Sequence, residues 1–199
     1  MFITIEISGV TPLICNRFTD EAALISTNGD RGSSAGMDRG TPQEVAQSKL
    51  YLGLNGKPMI PSPNLLRSIV DGGLFTKIGK KQITTQKSSL LYACLGIEAA
   101  EVEIIHQQPW RVDTRPVVIP STGGRILCHR PMFDDWSLAF EVELDTSIIN
   151  AKLMRQIIDD AGKRVGLGDF RPIRKGPFGK YVVARWAEQQ AQAETRLAA

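Results

Sequence analysis

The chain has 199 residues, 42% of them hydrophobic and 23% charged, and a net charge of +3. A chain of this size and composition buries a core without help from disulfides or metals. Its three cysteines, Cys15, Cys94 and Cys128, are scattered and form no C-x-x-C pair, which argues against a zinc knuckle or a disulfide framework and for reduced thiols in a cytoplasm. The opening residues Met1–Ser8 have no basic n-region and reach Glu6 too early for a signal peptide, and no apolar run is long enough to cross a bilayer.

Residues 2–8 alternate, Ile3, Ile5 and Ile7 against Thr4, Glu6 and Ser8, which predicts a half-buried strand. Gly9-Val10-Thr11-Pro12-Leu13 turns the chain. Residues 19–40, rich in Gly, Ser, Asp and Asn, are expected to form a mobile loop. Thr41-Pro42-Gln43-Glu44 reads as a capping box opening a short helix that ends near Leu50–Tyr51. Ser62-Pro63 repeats the cap-then-proline start, with Leu65, Leu66, Ile69 and Val70 at helical spacing and Gly72-Gly73 as the stop. The piece Lys77–Lys87 is basic and irregular, and Ser88–Ile97 is expected to be another helix.

From Glu101 the pattern turns to β. Glu101–Ile105 is a short strand, and Arg111–Pro120 with Arg125–Pro131 form a hairpin around Ser121-Thr122-Gly123-Gly124. Trp136–Leu144 alternates cleanly, with Trp136, Leu138, Phe140, Val142 and Leu144 inward. Residues 147–161 form an amphipathic helix stopped by Gly162, a glycine-rich loop spans 162–179, Tyr181–Trp186 is a last strand and 187–199 is a polar tail. Without its insertions, at about 19–57 and 77–130, this order is the βαββαβ ferredoxin-like (RRM-like) plan, an α+β fold over residues 1–186.

The charge is local. Between Ala161 and Lys180, Lys163, Arg164, Arg171, Arg174, Lys175 and Lys180 face a single acid, Asp169, so this segment is more positive than the whole chain. A local basic patch is the footprint of a polyanion. Glycines such as Gly166 and Gly168 let a backbone approach a ligand and offer amides to an anion, the cations suit phosphate oxygens, and Phe170 and Phe178 suit base stacking. A P-loop needs Gly-Lys followed by Ser or Thr in a strand–loop–helix order. Here Arg164 follows Lys163 and the order is helix–loop–strand, which argues against it. The bland alternative is a long connection with solvated charges. Arg111, Arg115, Arg125 and Arg130 on the hairpin arms make a second candidate surface, with Arg115, Arg125 and Arg130 supporting the loop.

Gly-Val-Thr-Pro-Leu (9–13), Met-Ile-Pro-Ser-Pro-Asn-Leu-Leu-Arg (59–67) and the late basic glycine-rich loop, in that order, resemble the CRISPR-associated RAMP superfamily, above all its backbone subunits that coat guide RNA. The resemblance implies an RRM-type core, a phosphate-binding glycine-rich loop, assembly side by side along the strand, and a β-hairpin thumb to which 111–130 corresponds. The chain is short for such a subunit and shows no large helical insertion. It resembles equally a small group of phage-encoded proteins sharing Thr-Pro-x-Glu, Ile-Pro, Arg-Pro-Val, Gly-Asp-Phe-Arg-Pro and Gly-Pro-Phe-Gly.

The expected function is therefore sequence-independent binding of single-stranded RNA by a non-enzymatic protein without cofactor or metal. The alternatives are a phage single-stranded DNA-binding or annealing protein and a RAMP-type endoribonuclease. For the last, His106, His129 and the loop acids Asp20, Asp30 and Asp38 are the candidates, although spacing alone brings no two of them together. Asp134-Asp135 is expected to make a turn rather than a metal site.

Overall fold

The structure, a computed structural model, describes residues 1–19, 40–118 and 123–189. Residues 20–39 of the expected 19–40 loop, with its three aspartates, the hairpin tip at 119–122 and residues 190–199 of the tail lie outside the described residues.

The central strand is β1 (Phe2–Gly9), whose Ile3, Ile5 and Ile7 are fully buried as their alternation predicts. It pairs antiparallel on one side with β10 (Ser137–Leu144) and on the other with β11 (Tyr181–Gln189). The short β6 (Leu95–Ile97) completes the sheet against Val142–Leu144. The order β11-β1-β10-β6 is that of a ferredoxin-like sheet, its last strand and its third flanking the first. The strand β6 is a correction, because 88–97 was expected to be helical. Only Leu90–Ala93 turns helically, as a short 3-10 segment, before the chain joins the sheet edge.

Two helices cover the inner face. In α2 (Ser62–Gly72), Leu65, Ile69 and Val70 are buried, and in α3 (Ala151–Asp160), Met154, Ile157 and Ile158 are buried, all in one core with the isoleucines of β1. Each such side chain removed from water contributes about 1.5–3 kcal/mol. The helices touch closely at Gly72, where a Cβ would run into the Ile157 carbonyl and Ala161. Ser62 does not cap α2. Its hydroxyl donates instead to the Ala99 carbonyl, tying the helix start to the chain entering β7 (Glu101–Glu103), which pairs with β3 (Met59–Pro61). The short α1 (Pro42–Ser48) carries the expected capping box: the Thr41 hydroxyl accepts from the Glu44 amide at 3.3 Å and the Glu44 carboxylate accepts from the Thr41 amide at 2.8 Å.

The hairpin of β8 (Arg111–Val118) and β9 (Arg125–Phe133) forms a second sheet with β2 (Leu13–Ile14). Trp136 follows the turn at Asp134–Asp135. Its indole donates to the Thr11 carbonyl at 2.9 Å and fills the space that a side chain at Gly9 would need. In that turn Asp134 is paired with Arg111, and Asp135 accepts from the Gln107 amide at 2.7 Å. The last strand runs on to Gln189, three residues into the expected tail. Among the described residues no helix is long and apolar enough to cross a membrane.

Candidate nucleic-acid interface

Helix α3 does not stop at Gly162. It widens into one π turn, Ala161–Val165, and ends where Gly166, at φ 75°, donates its amide to the Ala161 carbonyl at 2.8 Å. Gly162 is required because a Cβ there would strike the Tyr181 carbonyl on the neighbouring strand. Lys163 and Arg164 therefore belong to the last helical turn, exposed, and the loop proper runs from Gly166 to Lys180. Arg164 is paired with Asp160 at 3.2 Å and lies over the Phe75 ring at 4.9 Å.

The loop is pinned at both ends. The Ser68 hydroxyl of α2 donates to the Gly166 carbonyl at 2.9 Å and lies 3.2 Å from the Tyr181 hydroxyl. Its body is strapped to residues 11–14 and across itself. Asp169 donates its amide to the Ile14 carbonyl at 2.7 Å, Gly179 to Pro12 at 2.8 Å and Leu167 to Gly179 at 2.9 Å, while Lys180 donates to the Thr11 hydroxyl at 2.9 Å. The loop thereby commits the amides of Leu167, Asp169, Gly179 and Lys180 internally, which leaves those four unavailable to an anion. It presents side chains. Gly168, at φ 74° against the Ile14 carbonyl, and Gly179, at φ 68° against the Leu167 carbonyl, are positions where the backbone requires glycine.

A cavity of about 240 Å³ opens between the loop and α2, lined by Gly166–Asp169 and Arg171 of the loop, by Asn64 and Arg67 of α2, by Tyr51, and by Asn16, whose amide donates to the Asp169 carboxylate at 3.0 Å. A second cavity of about 550 Å³ lies beyond Arg67 and Arg171 and is lined further by Asp71, Thr85, Gln86, Ile173 and Arg174. The two arginines are common to both, so the surface is one groove with a cationic divide. Arg67 is tethered to Asp71 at 2.9 Å with most of its side chain exposed. Arg171 is half-buried. One terminal nitrogen donates to the Gly168 carbonyl at 2.8 Å, and its buried Nε has no partner among the described residues. Burial, then the nearby Arg174 guanidinium, pulls its affinity for a proton below the usual range. A guanidinium in such a place gains most from an added anion.

The other predicted residues divide. Arg174 and Lys175 are exposed beside the groove, Lys175 at φ 64°, and Phe170 is exposed. Phe178 is turned inward against Ile14 and Met132, under the Arg115 guanidinium at 4.6 Å. Arg130, expected on an open surface, is 4% exposed and bridges Asp113 at 3.0 Å and Asp169 at 2.8 Å. Arg115 binds the other oxygen of Asp113 at 2.7 Å. This chain of ion pairs fixes the hairpin to the loop, so Arg130 orients Asp169 and does not itself face solvent. Arg125 is exposed near the hairpin tip. Asn16, Tyr51, Asn64 and Arg67 were not expected from the sequence. The available signal was the polar face of α2, where Asn64, Arg67 and Asp71 recur at intervals of three and four opposite Leu65 and Ile69.

The outer face of the main sheet is a poor platform for a polyanion. The residues that alternate with the buried isoleucines and their cross-strand partners place Glu6, Glu141 and Glu143 there with Arg185 as the basic counterpart. The two histidines do not meet a common partner. His106 bonds the Gln108 carbonyl at 2.8 Å, and His129 bonds the Thr114 hydroxyl at 2.8 Å. Among the described residues no group of three His, Cys, Asp or Glu side chains is placed to hold a metal ion.

No family model matches this chain, and no curated protein matches it. Among solved structures, a chain in the cryo-EM structure of the Type III-B Cmr-beta bound to cognate target RNA is similar, at a TM-score of 0.56 and 10% sequence identity. The match covers 94% of this chain, which spans 59% of the length of the other. At that identity the likeness is one of fold, and it agrees with the ferredoxin-like order of the sheet.

Proposed function

We propose that this chain is a RAMP-like, non-enzymatic protein that binds single-stranded RNA through its phosphates, with little regard to sequence. The observation that carries the proposal is the groove between α2 and the glycine-rich loop, where Arg67, Arg171 and Arg174 converge and the buried Nε of Arg171 lacks a partner. The fold shared with a chain of an RNA-bound complex supports the choice of ligand. Asn16, Asn64 and Tyr51 lie where a sugar or base attached to a bound phosphate would rest. The acidic outer face would repel the strand, which favours the groove over the stacking platform of an ordinary RRM sheet. Side-by-side assembly along the strand, and use of the same groove for single-stranded DNA, are further proposals within this reading.

The test is fluorescence anisotropy with labelled single-stranded RNA and DNA of matched sequence at low and moderate salt. The proposal expects salt-sensitive binding, tighter for RNA, with the RNA recovered uncut after long incubation. Tighter binding to DNA would move the protein to the phage-type alternative. Cleavage lost on replacing His129 would make it a nuclease.

A further inference from the structure

The segment that follows α2 carries Lys77, Lys80, Lys81 and Lys87 and no acid between Gly72 and Ile97. It folds as a small two-stranded finger, β4 (Lys77–Ile78) and β5 (Lys81–Gln82), turned by Gly79 at φ 60°. All four lysines are exposed, and among the described residues none of them forms an ion pair with an acid. A charge cluster of this kind, held without a counterion, is more than a solvated edge when its base is rigid and adjoins a ligand groove. Both conditions hold here. The base is tied to α2: the Thr84 hydroxyl donates to the Val70 carbonyl at 2.7 Å, its amide to Gly73 at 3.3 Å, and Ile83 to Thr76 at 3.1 Å. The turn at Thr85–Ser88 is closed by the Thr85 amide on the Ser88 carbonyl at 2.8 Å. Thr85 and Gln86 of that turn line the same cavity as Arg171 and Arg174. On the other flank Phe75, at the root of the finger, lies beneath the guanidinium of Arg164.

We infer that the β4–β5 finger is a second phosphate-contacting segment, which takes over the strand as it leaves the arginine groove past Gln86. The inference rests on the single-strand reading above and extends it. The groove holds a short stretch of nucleotides around Arg67 and Arg171, and Lys77, Lys80, Lys81 and Lys87 hold the next. Binding strength then depends on strand length beyond what the groove alone can fill.

The experiment compares a 4-nucleotide and a 12-nucleotide RNA on the full chain and on a variant with Lys77→Gln, Lys80→Gln, Lys81→Gln and Lys87→Gln. For the longer RNA the variant is expected to bind at least tenfold more weakly, with its logarithmic salt slope reduced by about 0.7 for each lysine in contact. For the shorter RNA its affinity is expected to stay within about twofold of the unaltered chain. An equal loss at both lengths would overturn the finger as a contact and leave only a general charge effect. No loss at either length would overturn it outright while leaving the groove intact. Failure of the unaltered chain to bind either RNA would remove the groove reading and the finger with it. Circular dichroism of the variant guards against misfolding, which is not expected of exposed side chains.

Discussion

Arg130 is the residue on which the hairpin and the glycine-rich loop meet. Burial works against its charge, but the Asp169 hydrogen bond and carboxylate, with Asp113 behind them, keep it protonated beyond the ordinary range. Replacing it with alanine leaves Asp113, 5% exposed, without its buried cation and is expected to lower stability by about 3–5 kcal/mol, read by urea denaturation. The role was not legible in the sequence. Asp113 and Arg130 face each other only because the β8–β9 register is what it is, and a shift of one residue would send Arg130 to the other face. Gly168 was legible as a glycine that matters, and its contact with Ile14 adds a reason the sequence did not show. Its left-handed backbone seats Asp169 against Ile14, and Gly168→Ala is expected to destabilise by about 1–2 kcal/mol or more, and to weaken RNA binding by shifting the carbonyl that holds Arg171.

At the level of elements, the segments with a strong period were readable. The alternation of β1 and β10 and the apolar stripe of α3 each survive intact, because each buries one face in the same core. Residues 88–97 misled because Leu90, Leu91, Cys94 and Leu95 have helical spacing. Leu90 is 40% exposed, however, and pairing with β10 at the sheet edge outweighs the local pattern. The π turn at the end of α3 was hidden for a similar reason, since the need for Gly162 comes from Tyr181 on another strand. The division between acidic sheet face and basic groove gives an element-level prediction. Glu6→Gln with Glu141→Gln should change RNA affinity less than about twofold at physiological salt, where the Debye length is about 8 Å. A large gain in affinity would mean that the strand crosses the sheet.

For the whole molecule, the ferredoxin-like class was legible from patterning and chain order, although the second strand of its sheet, β6, lay in the segment read as a helix. The groove was only half legible. Its basic loop stands out in the sequence, but Asn16, Arg67 and Arg171 are brought together by the tertiary fold. Stability should also follow pH in a defined direction. Burial, then Asp169, pushes the Cys15 thiol up to about 12 from its ordinary 9.0, and burial raises the Tyr181 phenol as well. The unfolded chain loses these protons first as pH rises, so folding stability is full below about pH 9 and falls between there and about pH 12. Denaturant midpoints measured across that range should decline, and Cys15→Ala should flatten the decline.

The central claim is that Arg67, Arg171 and Arg174 hold the phosphates of a single strand. The most direct test is anisotropy of a labelled RNA of about 12 nucleotides, titrated over a series of salt concentrations with the unaltered chain and with the Arg67→Ala, Arg171→Ala, Arg174→Ala variant. If all three arginines contact phosphate, the folded variant should bind more than about tenfold more weakly, with a salt slope reduced by about 2. Equal affinity and equal slope in the folded variant would contradict the account, because the groove would then hold no strand.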